Sequence, residues 1–129
     1  MKIDIPTRFL PPTDWSTLIG FTGFSANPTV TTATYGINGN IAWVFLALTA
    51  GTSNAATFTI TGLPINALNA VSVPCRVTDN GTVQTTSGMV QTTAGGGTIS
   101  VGKNMTALGG FTASGTKNVA ANLFFQFPI

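Results

Sequence analysis

From Val119 to Phe127 every second residue is apolar: Val119, Ala121, Leu123, Phe125 and Phe127 fall on one side of an extended chain. A period of two is what a β-strand makes of its side chains, and a helix would scatter these five around its surface. The same period returns at Ala33, Tyr35 and Ile37, and at Phe58 and Ile60, where Thr57, Thr59 and Thr61 take the opposite side. Val71, Val73, Cys75 and Val77 share a further face, opposite Ser72, Arg76 and Thr78. Pro74 withholds a ladder donor from that segment and predicts an edge position or a bulge.

Turn chemistry punctuates these segments. Asn38-Gly39 supplies the positive φ angles of a type I′ hairpin, "GTSN" at 51–54 closes the next strand, and "GLP" ends the one after it. "DNG" at 79–81 leads into "TVQTTSGMVQT", which predicts one strand with a break near Gly88. "AGGG" at 94–97 then makes a mobile hairpin turn before a short strand over 98–101. Fifteen glycines, frequent threonine and no capped 3.6-residue pattern leave no crossover helix. The expectation is an all-β chain of about eight strands folded as an antiparallel, jelly-roll-like β-sandwich. Residues 15–129 form that one domain, and the proline-rich 1–14 form an extended N-terminal arm.

The run Ile41–Leu48 departs from alternation. Ile41, Trp43, Phe45 and Ala47 make one side, Ala42, Val44, Leu46 and Leu48 the other, and both are apolar. Phe124 adds a milder case, apolar on the side opposite Phe125 and Phe127. Hiding each large side chain contributes roughly 1.5–3 kcal/mol, so a second apolar face demands a cover. Either the arm or a closing barrel supplies it, or other copies of the chain do. Low charge favours the copies, since subunit interfaces avoid Lys and Glu. The expected interface residues are Ala42, Val44, Leu46, Leu48 and Phe124.

Only eight side chains carry formal charge, five basic and three acidic. Lys2, Arg8, Arg76, Lys103 and Lys117 form no cluster, so nucleic-acid binding is not expected. No apolar run approaches the roughly 20 residues of a membrane helix, and no membrane insertion is expected. "MKIDIPTRFLPPTDW" has no apolar signal core, and the lone Cys75 cannot close an internal disulfide, which fits synthesis in a reducing compartment.

Catalytic constellations fail on inventory. The chain has no His and no Glu, and its carboxylates are Asp4, Asp14 and Asp79, the last explained by turn chemistry. A zinc site lacks ligands, one carboxylate makes a poor calcium site, and Cys75 in its Val-rich setting reads as a small buried hydrophobe. Gly95–Gly97 lack the Lys-Ser/Thr and following helix of a phosphate loop. No enzyme, metal or cofactor is expected. Binding is the remaining chemistry, with Trp15 and Tyr35 as aromatic platforms and Asn80 and Asn104 in loops as candidate saccharide contacts. Trp43, central in its strand, is expected in the core or an interface.

The order of segments resembles a known family. "DWSTLIGFTGFS", "TATYGINGN", the apolar strand, "GTSNAATFTITGLP" and "GGFTASGTKNVAANLFFQF" are together similar to the head or knob domains of bacteriophage tail-fibre and related virion proteins. The similarity runs from Trp15 to Phe127 and lies in spacing more than in fixed residues. It implies a trimerising β-sandwich at a virion surface, made in the host cytoplasm, contacting other virion proteins and host-cell glycan. Family members often carry such a head on a shaft, whereas this chain begins almost directly with the domain. A capsid decoration or stabilising protein and a monomeric carbohydrate-binding module are the alternatives.

Overall fold

Where the sequence alternates, the backbone is largely strand, although the Val71–Val77 series divides at Arg76 into two strands that lie in different sheets. The computed structural model describes residues 8–119 and 122–129, and among them are fourteen strands in three antiparallel sheets and no helix. In chain order these are β1 (Phe9–Asp14), β2 (Gly20–Thr22), β3 (Phe24–Ala26), β4 (Val30–Asn38), β5 (Ile41–Leu48), β6 (Gly51–Ser53) and β7 (Thr59–Thr61). There follow β8 (Ser72–Cys75), β9 (Val77–Asp79), β10 (Thr82–Val83), β11 (Gly88–Thr92), β12 (Ile99–Gly102), β13 (Thr116–Val119) and β14 (Asn122–Pro128). The first sheet runs β1-β4-β5-β14, the second β10-β9-β13-β6-β3 and the third β2-β7-β12-β11-β8.

The count exceeds the expected eight because the chain changes sheet in mid-course. Past Leu48 it leaves the first sheet and resumes three residues later, at Gly51, as β6 in the second. β13, which ends at Val119, belongs to the second sheet, and β14, which begins at Asn122, to the first. As β5 pairs with β14 and β6 with β13, one antiparallel ribbon serves two sheets. "GTSN", expected as a turn, is therefore largely strand. Gly51 permits it, since a Cβ there would lie 2.7 Å from the Ala26 carbonyl, the Phe24 ring and Pro28.

All three sheets turn apolar sides to one core. Val44, Leu46, Leu123, Phe125 and Phe127 come from the first sheet, Ile60, Val90, Ile99 and Val101 from the third, and Val77 and Val119 from the second. Pro74 lies in β8, an edge strand, as a missing donor requires. "TVQTTSGMVQT" breaks before Gly88, with β10 and β11 in different sheets. The "AGGG" turn is tied down: Ala67 donates to the Gly96 carbonyl and Gly95 donates to that of Ala67.

The expected arm is a strand from Phe9 onward: β1 pairs with β4, with an irregularity between Leu10 and Thr13 where Pro11 and Pro12 stand. The rest of the arm, residues 1–7, lies outside the described residues.

The β4–β5 hairpin turns on Gly39 and Asn40, one residue later than the expected Asn38-Gly39. Gly39 has φ 63° while Asn40 keeps a negative φ, the pattern of a type II′ turn. This register places Gly36 opposite Trp43, and a side chain at Gly36 would overlap the indole. The type I′ pair occurs instead at Asn80 (φ 48°) and Gly81 (φ 75°), between β9 and β10.

Candidate functional site

Opposed residues of antiparallel strands share a face, so the registers sort the first sheet into two sides. Ala33, Tyr35 and Ile37 oppose Leu46, Val44 and Ala42, which neighbour Leu123, Phe125 and Phe127; this is the core side. Thr34, Gly36 and Asn38 oppose Phe45, Trp43 and Ile41, which neighbour Phe124, Gln126 and Pro128; this is the outer side.

The expected interface is thereby corrected. Ala42, Val44, Leu46 and Leu48 are at most 5% exposed within the single chain, covered by its own second and third sheets. The apolar side left open is the other one, and Phe124 is on it, 55% exposed. The Trp43 indole lies over Gly36 and stacks on the Phe124 ring, with centroids 6.1 Å apart and planes 27° from parallel. Phe45 is half-buried beside them, and Ile41 and Phe9 stand exposed toward the hairpin end. Asp14, at the far margin, is the one charged residue in these four strands. The Ser16 backbone N–H donates to its carboxylate at 2.7 Å and, with the Ser16 side chain, holds this exposed carboxyl below its ordinary value.

The four candidate saccharide contacts do not converge on this surface. Trp15, expected either as a surface platform or as a staple of the arm onto the sheet, is 1% exposed: its backbone N–H donates to the Ala33 carbonyl and its ring lies in the core. Its apolar ring outweighed the neighbouring Asp14. Tyr35 faces inward, half-buried against the core. Asn80 is exposed but serves as the left-handed turn residue. Asn104 turns its carbonyl onto its own loop, accepting from the Thr106 N–H (3.0 Å), the Thr106 hydroxyl (2.6 Å) and the Ala107 N–H (3.2 Å).

Two polar groups do more than their place in the sequence suggests. Lys117, one of five scattered basic residues, is 0% exposed. Its Nζ donates to the carbonyls of Ala55 (2.8 Å) and Thr57 (2.6 Å) and lies 4.7 Å from the Phe24 ring centre, with Phe58 and Phe111 beyond. Burial pulls the ammonium pKa down, and the Asp79 charge restores part of it. A signal was present: Lys117 continues the odd-numbered inward series of Val119, Leu123, Phe125 and Phe127.

Asp79 does more than make a turn. It is 3% exposed, pairs with Lys103 at 2.8 Å, and accepts from the Thr112 N–H (2.8 Å) and hydroxyl (2.9 Å). Burial pushes its carboxyl up, but the hydrogen bonds from Lys103 and Thr112 and the Lys103 charge outweigh that and hold it below the ordinary value. These contacts pin the 103–112 loop to β9. Cys75 is half-buried and its thiol is pushed up to about 11, which suits a packing role.

Among the described residues no three metal-ligating side chains gather, and no helix is long and apolar enough to cross a membrane. An open groove of about 340 Å³ runs between Ala56–Thr59, Ser100–Val101 and Leu108–Gly110, without a charged side chain in its wall. The arrangement with the most to offer a partner is therefore the aromatic side of the first sheet. No protein-family model matches this chain, and no curated protein is similar to it.

Proposed function

We propose that this chain is a non-enzymatic structural domain that assembles with copies of itself, of the kind found in phage tail-fibre heads and other virion surface proteins. One observation carries the reading: the outer side of the first sheet presents Ile41, Trp43, Phe45 and Phe124 with no charge among them. An uncharged aromatic sheet face open to water is characteristic of a subunit contact. The jelly-roll-like sandwich, the virion location, contacts with other virion proteins and recognition of host glycan belong to this reading through the resemblance. Capsid decoration is its nearest variant.

Concentration tests it. A fold completed by another copy melts at higher temperature when concentrated, because mass action favours the assembled native state. The melting temperature of the native chain is expected to rise by a few degrees, on the order of 5 °C, across a hundredfold increase in concentration. Phe124→Ser is expected to flatten that dependence. A melting temperature independent of concentration would count against assembly.

A second reading has its own observation. The Trp43 indole, half open and nearly parallel to Phe124, with Gln126 on the same side, is the platform a monomeric saccharide-binding module would use. Saccharide-dependent quenching of Trp43 fluorescence in a monomeric protein would favour it.

A further inference from the structure

The two edges of the first sheet are built differently. β1 is blunted by Pro11 and Pro12 and by the irregularity they bring, a recognised guard against strand-to-strand association. β14 keeps an unbroken register with β5 from Asn122 to Pro128, with neither charge nor bulge.

Hydrogen-bond alternation shows which groups on that edge are free. A two-residue turn closes on a hydrogen-bonded pair, here Asn38 and Ile41, so the odd residues of β5 bond to β4 and its even residues face β14. Ala42, Val44 and Leu46 pair with Phe127, Phe125 and Leu123. The N–H and C=O groups of Asn122, Phe124 and Gln126 therefore point away from the sheet. Two bonds agree with this parity: Ile129 donates inward to Asn40, and the outward carbonyl of Pro128 accepts from Leu68. Leu68 closes the free edge just past Gln126 and leaves its own side chain 60% exposed there. Among the described residues, no backbone group bonds to the outward groups of Asn122, Phe124 or Gln126.

From this we infer that a second copy of the chain pairs along β14, antiparallel, about a two-fold axis through Phe124. This deepens the self-assembly reading and rests on it, and it replaces the expected three-fold arrangement at this contact. The sequence of the edge is chemically palindromic in that register. Phe124 opposes Phe124 of the second copy, and Asn122 opposes Gln126 on either side, so aromatic meets aromatic and amide meets amide. The outward groups on both copies are satisfied, and the blocked Pro128 carbonyl falls outside the paired span. With no charge in β14 or β5, the copies meet without repulsion. The product is one continuous sheet on which the Trp43–Phe124 stacks of both copies adjoin.

Charge exchange at the axis tests this register. Native protein is expected to sediment at twice the 13.2 kDa chain mass. Phe124→Lys and Phe124→Glu each place like charges face to face and are expected to weaken pairing by about a hundredfold, leaving monomers with native circular dichroism. Mixed one to one, they are expected to regain a dimer containing one of each. In the native dimer the Phe124 and Gln126 amides exchange slowly, and dilution to monomer frees them. A native trimer, or a native dimer whose charge variants fail to combine, would overturn β14 pairing while leaving self-assembly standing. A native monomer at every concentration would overturn both.

Discussion

The two sides of β5 are almost equally apolar, yet one is finished by its own chain and the other is not. Ala42, Val44, Leu46 and Leu48 sink into a core built by three sheets, while Ile41, Trp43, Phe45 and Ala47 keep contact with solvent beside Phe124. Apolar character fixes that a surface seeks cover; geometry decides which chain provides it. On the inner side, Val77 and Val119 of the second sheet and Ile60, Val90, Ile99 and Val101 of the third join the same core. On the outer side, Ile41 and Phe124 stay 41% and 55% exposed.

Substitutions on the two sides break this contrast in different observables. Leu46→Ala, on the inner side, is expected to destabilise the fold by about 2–5 kcal/mol in urea unfolding, through lost burial and the cavity left behind. Lys117→Met probes the same interior at its polar point. Two carbonyls lose their donor and three rings lose a cation, so a loss of roughly 2 kcal/mol is expected, offset in part by ending the burial of a charge. Phe45→Thr, on the outer side, is expected to cost about 1 kcal/mol or less in the dilute protein, while weakening association measured by light scattering. A loss at Phe45 matching that at Leu46 would erase the distinction between the sides.

Smaller effects follow from pH. The Asp79 carboxyl is held below its ordinary value when folded, so its contribution is complete above the unfolded value, near pH 4, and is lost as pH falls through the folded one. Lys117 gives a slope of the same sign at the alkaline end: its folded value is lowered, so stability rises with pH between that value and the ordinary one, near pH 10.4. Urea midpoints across pH check both slopes, and Asp79→Asn and Lys117→Met are each expected to remove the corresponding one.

Much of the inner side was legible in the sequence. The period-two series named Ala33, Tyr35, Phe58, Ile60, Val119, Leu123, Phe125 and Phe127 as core residues, Ala121 lying outside the described residues, and Pro74 named an edge. The outer side was read in outline only, because a strand apolar on both sides gives no sign of which side meets the rest of the chain. Tyr35 and Leu123, on the two strands that flank β5, decide it through register: both oppose even-numbered residues of β5, which puts that side in the core. Trp15 is ambiguous in the sequence, platform or staple, because its neighbour Asp14 looks like surface; packing resolves it by drawing the ring into the core. The free edge of β14 was hidden for a similar reason: edge status belongs to the order of strands, which alternation does not encode.

Sedimentation equilibrium of the native chain, from submicromolar to hundreds of micromolar, tests most directly whether another copy completes the outer side. The account predicts reversible association, with the weight-average mass climbing from 13.2 kDa toward a multiple of it as concentration rises. A mass fixed at 13.2 kDa throughout would contradict it.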